Sequence, residues 1–245
     1  SDAAAEVVRV VSGVSHLKAG DRVMGAFMQG WLRDSIPRRK EQLATSLGGP
    51  VDGVFAQEFL LEAEATVKIP DGISDEAAST LPCAALTAWS ALITQGGLRP
   101  DDTLLIQGTG GVALFALQIA RMVGARIIIT SSSNDKLERA RAMGADETIN
   151  YRDHEDWGKI ARRMTDGGVD HILELGGAGT LAQTLKAIRP GGQVSLIGVL
   201  SGAVADLNIT PILMQNVRVQ GILVGSRDEL ERMTQAFLRQ NIKPV

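Results

Sequence analysis

The sequence is poor in cysteine, in net charge and in long apolar runs, and each scarcity excludes a class of structure. Cys83 is the only cysteine in 245 residues, so intramolecular disulfides and zinc sites built from several thiolates are excluded. Polar residues such as Gln118 and Arg121 interrupt the longest apolar segments, so no membrane span is predicted. A net charge of −3 gives no general case for a nucleic-acid partner. The chain opens without a basic, apolar leader, so a cytoplasmic location is the default expectation.

Aromatic residues are also scarce, with three Trp, five Phe and one Tyr. Valine, isoleucine, leucine and alanine must therefore fill the core. This composition suits buried parallel strands, which read as nearly continuous aliphatic runs.

The pattern of the chain changes near residue 85. Residues 1–84 contain short β-prone runs separated by Gly and Asp turns, which predicts a β-rich antiparallel domain. Residues 85–226 alternate strands with helices, which predicts an α/β domain with a doubly wound parallel sheet. Residues 227–245 begin with a helix over 228–240. In the α/β domain the strand candidates are 103–107, 126–130, 147–149, 169–175, 193–197 and 217–224, and the helix candidates are 111–123, 135–143, 156–165, 178–188 and 208–215.

A glycine-rich turn joins the first of these strands to the first helix. It reads Gly108, Thr109, Gly110, Gly111, Val112 and Ala113, which fits the dinucleotide fingerprint G-x-G-x-x-A. Gly108 permits a tight turn, Gly110 lets backbone approach a pyrophosphate, and Ala113 lets the helix pack closely on the sheet. The N–H groups at the start of the helix suit a diphosphate. Strand, turn and helix together predict a nucleotide-binding site.

The next strand ends without the carboxylate that would receive the ribose hydroxyls of NAD. In its place stand Ser131, Ser132 and Ser133. Hydroxyls accommodate a 2′-phosphate that a carboxylate would repel, and Lys136 and Tyr151 follow at suitable distances in the sequence. The pattern favours NADP(H) over NAD(H), although NAD(H) stays possible. The alternatives are an ordinary exposed helix lysine at Lys136 and an ordinary strand-edge tyrosine at Tyr151.

With these segments in place, the chain resembles the medium-chain dehydrogenase/reductases, on the quinone-oxidoreductase-like side of the alcohol dehydrogenase superfamily. The resemblance rests on "SDAAAEVVRVVSGVSHLKAGDRVMG", "LPCAALTAWSAL", "GTGGVALFALQIARMVGA" and "IRPGGQVSLIGVLSG" and extends over the whole chain. It implies a GroES-like catalytic domain beside a Rossmann domain, with the active site between them, and a chain truncated at both ends. It also implies a homodimer.

The resemblance further implies which residues contact the cofactor. Thr87 is expected near the nicotinamide, although an ordinary helix hydroxyl is the alternative. Gly176 is expected near the adenosine half. Three residues that follow a later strand are expected to approach the nicotinamide through their backbone: Gly198, Val199 and Leu200.

Zinc is not predicted. In zinc-dependent relatives a histidine binds the catalytic metal where this chain has Ser1, and a hydroxyl replaces imidazole poorly. Cys83 matches another ligand position but is expected to be a buried small side chain. His16, His154 and His171 show no metal-binding spacing.

The resemblance and these residues together predict an NADP(H)-dependent oxidoreductase that transfers hydride to a quinone, enone or other small carbonyl substrate. The catalytic residues are not identified, because no proton donor stands out. One alternative is an alcohol dehydrogenase that acts on small alcohols or aldehydes. Another is a non-catalytic NADPH-binding protein.

Overall fold

The computed structural model describes residues 1–244 and divides them into two compact units. The first consists of Ser1–Thr87 together with residues from Val224 onward, and the second is Ala88–Leu223. The strands are β1 Ala4–Glu6, β2 Arg22–Gly25, β3 Thr66–Lys68, β4 Thr103–Gln107, β5 Arg126–Ser131, β6 Glu147–Asn150, β7 Val169–Glu174, β8 Ile188–Leu196 and β9 Arg218–Gly221.

The helices range from single turns to thirteen residues. They are α1 Lys40–Leu43, α2 Asp75–Ala78, α3 Leu86–Trp89, α4 Gly111–Val123, α5 Asn134–Ala142, α6 Trp157–Arg163, α7 Leu181–Ala187, α8 Thr210–Met214 and α9 Arg227–Arg239. A 3₁₀ turn spans Ala63–Ala65, and π-helical turns span Leu81–Ala85 and Ser90–Thr94. None of the helices in residues 1–244 combines the length and apolarity needed to cross a bilayer.

The first unit contains a three-stranded antiparallel sheet in the order β1-β2-β3. Its buried residues include Met24 and Val67 from the sheet and Met233 and Phe237 from α9. Helix α9 begins with a capping box, in which the Ser226 hydroxyl accepts from the Glu229 N–H and the Glu229 carboxylate accepts from the Ser226 N–H. This reciprocal cap satisfies two N–H groups that the helix itself leaves open.

The β-prone run from Val54 to Pro70 forms less strand than its composition predicts. Only β3, at its end, pairs with a neighbour, and Phe55 and Leu60 are exposed. A run rich in apolar residues becomes a strand only where another strand hydrogen-bonds to it. Within the described residues that partner strand is β2, and its pairing with this run begins only at Thr66.

The second unit contains a six-stranded parallel sheet in the order β6-β5-β4-β7-β8-β9. This confirms the predicted α/β class and the doubly wound order. Strand β4 is buried along its whole length and pairs with both β5 and β7. A core of aliphatic side chains with one tryptophan packs on one face of the sheet and includes Leu105, Ile128, Ile149, Trp157, Ile172, Leu185 and Val194.

Two strand boundaries differ from the sequence prediction by more than one residue. β8 begins at Ile188, five residues early, because Ile188 pairs with Val169 across a register shift in the ladder. β9 stops at Gly221 instead of 224. Val224 has a φ of +60°, a left-handed backbone conformation that cannot continue a strand.

Candidate nucleotide-binding site

Free space borders the glycine-rich turn between β4 and α4. Gly108 has a φ of +77°, the left-handed conformation that glycine adopts without a steric penalty. Gly110 is the N-cap of α4, and no side chain among residues 1–244 caps this helix. A Cβ added at Gly108 or at Gly110 meets no atom within 4 Å. The N–H groups of the first turn, which include Gly111 and Val112, thus face free space that a diphosphate can enter.

The three serines after β5 have different surroundings. Ser131 is buried, and its hydroxyl lies 3.3 Å from the hydroxyl of Thr109 in the glycine-rich turn. The Ser133 hydroxyl caps α5 by accepting from the Lys136 N–H at 3.4 Å. Ser132 is half-buried. Each hydroxyl that accepts a bond still has a proton to donate to an anion.

Lys136 and Tyr151 lie on the two elements that border Ser131. Lys136 is exposed in the first turn of α5, and no carboxylate within residues 1–244 forms an ion pair with it. Tyr151 follows β6 with a partly exposed ring, and its N–H donates to the Ser131 carbonyl at 3.1 Å. The Asn150 side chain donates to the Asn134 side chain at 2.8 Å and joins the end of β6 to the start of α5.

The turns after β7 and β8 pack against each other through their backbones. The Ser201 N–H donates to the Gly176 carbonyl at 2.7 Å. A Cβ on Gly198 would lie 2.3 Å from the carbonyl oxygen of Leu175, and so would collide with it. Val199 and Leu200 are 58% and 90% exposed. The structure thus brings Gly176, Gly198, Val199 and Leu200 together at the edge where the parallel strands end.

Sequence reasoning missed two buried polar residues at this edge, Gln107 and Glu174. They are the last residues of β4 and β7, and their side chains are hydrogen-bonded to each other. The available signal was a polar residue that ends each of two apolar strands, "TLLIQ" and "HILE".

Thr87 and Cys83 lie in the first unit, on consecutive helical turns. Thr87 is buried, and its hydroxyl is hydrogen-bonded to the Cys83 thiol. Burial, reinforced by the Asp2 carboxylate, raises the pKa of the Cys83 thiol to about 11. This cysteine therefore stays a neutral thiol at physiological pH.

The histidines are dispersed. His16 contacts the Ala63 carbonyl, His154 follows β6, and His171 is on β7 with its Nε2 3.5 Å from Asp102. Burial lowers the pKa of His171, and the neighbouring carboxylates of Asp102 and Asp170 only partly offset this. Nowhere in residues 1–244 do three His, Cys, Asp or Glu side chains gather as metal ligands would.

Two family profiles match the chain. One, described as a zinc-binding dehydrogenase, matches residues 111–239, and the other, an alcohol dehydrogenase GroES-like domain, matches residues 1–71. A zinc-type alcohol dehydrogenase-like protein of Schizosaccharomyces pombe is 38% identical over 100% of this chain and 72% of its own length.

Solved structures give the same relationship. A protein assigned as an alcohol dehydrogenase, from Sinorhizobium meliloti 1021, is 45% identical to this chain. Its structure matches with a TM-score of 0.93, and the match covers 100% of this chain and 72% of that one. An NAD-dependent alcohol dehydrogenase is 33% identical, with a TM-score of 0.86 over 100% and 73%. The Escherichia coli quinone oxidoreductase, solved with NADPH, is 27% identical, with a TM-score of 0.80 over 97% and 68%.

The described residues fit a nicotinamide dinucleotide but not a zinc ion. The open face at Gly110 and the uncapped start of α4 suit a diphosphate. A catalytic zinc takes three protein ligands, with cysteine as the thiolate. Cys83 is the only cysteine of the chain, Ser1 stands where zinc-dependent relatives are expected to have a histidine, and within residues 1–244 no three His, Cys, Asp or Glu side chains gather as ligands.

We predict that Gly110→Ala blocks the dinucleotide without unfolding the protein. The φ and ψ of Gly110, −87° and −176°, are open to alanine, and its methyl group would meet no protein atom. That methyl group would occupy the space through which backbone approaches a pyrophosphate. The cofactor Kd, measured by fluorescence titration, should rise at least about tenfold, while the thermal midpoint without cofactor stays unchanged.

Gly108→Ala is the matched contrast. A residue with a Cβ at its φ of +77° costs about 1 kcal/mol or more, so this variant should lose stability as well as affinity. Unchanged cofactor affinity in a folded Gly110→Ala variant would contradict the assignment of the turn.

Proposed function

Because the chain belongs to the medium-chain dehydrogenase/reductase superfamily and is an NAD(P)-dependent oxidoreductase, we propose that it transfers hydride between NADP(H) and a small quinone, enone or other carbonyl substrate without a metal ion. The observation that carries this proposal is an open phosphate turn next to a strand that ends in hydroxyls and no carboxylate.

The preference for NADP(H) rests on the residues after β5. The hydroxyls of Ser131 and Ser132 and the exposed ammonium of Lys136 suit a 2′-phosphate, and a carboxylate at the strand tip would repel one. The next acidic residue along the chain is Asp135, which lies beyond the strand tip in the first turn of α5. NAD(H) is the second candidate, since a relative 33% identical is named for NAD.

Each part of the site would hold one part of the cofactor. The first turn of α4 would bind the diphosphate through Gly111 and Val112, and Lys136 with Tyr151 would border the 2′-phosphate. The turn at Gly176 would face the adenosine half. Residues Gly198–Leu200 would approach the nicotinamide through their backbone, and for Thr87, in the first unit, a nicotinamide contact stays a prediction of the family resemblance. The cofactor, when bound, supplies or accepts the hydride, and the protein orients it toward the substrate carbon.

The metal-free reaction rests on the surroundings of Cys83. Cys83 is the single cysteine of the chain, and within residues 1–244 no group of three His, Cys, Asp or Glu side chains includes it, whereas a catalytic zinc takes three protein ligands. The second candidate function is a zinc alcohol dehydrogenase, favoured by the S. pombe relative, which is named as zinc-type.

We predict that Lys136→Ala weakens NADPH binding far more than NADH binding. The ammonium would meet only the 2′-phosphate, which NADH lacks. The loss of one charge-assisted contact should raise the Kd for NADPH by roughly tenfold and leave the Kd for NADH within about twofold, as measured by fluorescence titration.

Arg139→Ala is the control for this prediction, because Arg139 is an exposed cation in the last turn of the same helix. It should change neither Kd. Equal losses of NADPH and NADH affinity in Lys136→Ala would contradict a contact between this lysine and the 2′-phosphate.

We predict that the protein reduces the C=C bond of an unsaturated ketone and leaves the C=O bond intact. The product formed with NADPH, identified by mass spectrometry, should be the saturated ketone, and pretreatment with a chelator should not change the rate. An allylic alcohol, formed at a rate that falls with chelation and returns with Zn²⁺, would establish the alcohol dehydrogenase candidate instead.

We further propose that two copies of the chain pair along β9. This strand ends the sheet order, and exposed apolar side chains lie on it or close to it in the sequence, among them Leu213, Met214, Val219 and Leu223. Light scattering should report twice the 26.0-kDa mass of the chain. Val219→Lys, which places a charge on the strand edge, should give the monomer. A monomeric wild-type protein would contradict the pairing.

A further inference from the structure

Gln107 and Glu174 are partners inside the sheet although 67 residues separate them. Their side chains are 5% and 0% exposed. The Gln107 amide donates from Nε2 to Glu174 Oε2 at 2.7 Å. The two residues end neighbouring strands, β4 and β7, and each is followed at once by a turn that carries predicted cofactor contacts.

The Glu174 carboxyl group is surrounded by hydrogen-bond donors. The N–H groups of Gly176 and Gly177 donate to Oε1 at 3.0 and 2.9 Å. The hydroxyls of Thr180 and Thr184 donate to Oε1 and Oε2. A carboxylate accepts at both oxygens, whereas an amide at this position would have to turn an N–H toward other donors.

Gln107 joins the same turn from the other side. Its Oε1 accepts from the N–H groups of Leu175 and Gly176, both at 3.2 Å. Gln107 also precedes Gly108 directly, so the side chain that holds the turn after β7 belongs to the strand that leads into the phosphate turn. A shift of either turn would break at least one of these bonds.

The coupling continues to the turn after β8. The Gly176 carbonyl accepts from the Ser201 N–H at 2.7 Å and from its hydroxyl at 2.8 Å. Gly177 has a φ of +84°, and a Cβ there would lie 2.8 Å from the Cα of Val199. Backbone thus touches backbone, and the position of one turn determines the position of the other.

We propose that Gln107 and Glu174 are positioning residues, which hold the turns after β7 and β8 in one arrangement with the phosphate turn, so that the three parts of the nucleotide site form one surface. Neither residue touches the reacting atoms. The inference rests on the proposed function, because it concerns the geometry of the same cofactor site.

The test is an exchange of the two side chains. Glu174→Gln sets an amide against the Gln107 amide, and Gln107→Glu sets a carboxylate against the Glu174 carboxylate. In the double variant the carboxylate at position 107 can accept from the turn after β7 and from the new amide at position 174. The exchange thus restores one acceptor and one donor between the strands.

Each single variant should bind NADPH at least about tenfold more weakly, since it leaves buried groups without partners. The double variant should return to within about threefold of the wild-type Kd. Gln193→Glu is the matched control, because it makes the same change at another buried glutamine of the sheet. The Gln193 Oε1 accepts from Arg218 and its Nε2 donates to the Gln95 carbonyl, away from the three turns, so this variant should keep the wild-type Kd for NADPH whatever its thermal midpoint.

Hydrogen exchange of the amides of residues 175–177, measured without cofactor, separates this inference from the proposed function. Exchange there should be faster in Glu174→Gln and slow again in the double variant. A double variant that binds as weakly as the single variants, or unchanged exchange in Glu174→Gln, would overturn the positioning role. If the wild-type protein bound neither NADPH nor NADH, the proposed function would be wrong. The exchange rates would still decide whether Gln107 and Glu174 hold the turn.

Discussion

Parallel pairing of β4 with both β5 and β7 is the constraint on which the second unit depends. Parallel strands place all their carboxyl ends on one edge of the sheet. The turns at Gly108, Ser131 and Gly176 therefore become neighbours, although long stretches of chain separate them. Crossover helices cover both faces of such a sheet, and α4, the helix that follows β4, has its N-terminus at the same edge.

Affinity and selectivity have different physical sources at this edge. The backbone N–H groups at the start of α4 are fixed by the helix and suit any diphosphate, so in the proposed site they would bind NADP(H) and NAD(H) alike. Lys136 is an exposed side chain whose charge salt screens, and it would contact only the group in which the two cofactors differ. In the proposed site the turn would bind the diphosphate of either cofactor, and the few side chains after β5 would determine the choice between NADP(H) and NAD(H).

The parts of the fold that the sequence predicts are those in which local pattern and tertiary environment agree. Strand β4 and helix α4 lie where apolar runs and glycines place them, because a buried strand and a close-packed helix leave little freedom. The end of β9 was not predictable, because the left-handed backbone at Val224 has no signature in a valine. The short β3 depends on how far its partner β2 extends, which is a property of the whole unit and not of the run itself.

The residues of the candidate site likewise divide into those that the local sequence predicts and those that it does not. The glycines of the phosphate turn are recognisable because their spacing is local, whereas the sequence does not show that Ser133, a predicted cofactor contact, also caps α5. The Gln107–Glu174 pair escapes prediction because each residue reads as an ordinary polar end to an apolar strand.

The pair is also what allows an irregular turn to be buried beside the phosphate turn. The amides of Gly176 and Gly177 lie outside any strand ladder, and a buried amide without an acceptor costs about 1–3 kcal/mol. An aliphatic residue in place of Glu174 could fill the volume but would leave the Gly177 amide without its acceptor, and would remove one of two acceptors from the Gly176 amide and from the Gln107 side chain. Secondary structure cannot supply the missing acceptors, because the φ of +84° at Gly177 takes the chain out of the strand. The carboxylate at the end of β7 therefore supplies, in one group, the hydrogen-bond acceptors that the backbone at this edge does not supply.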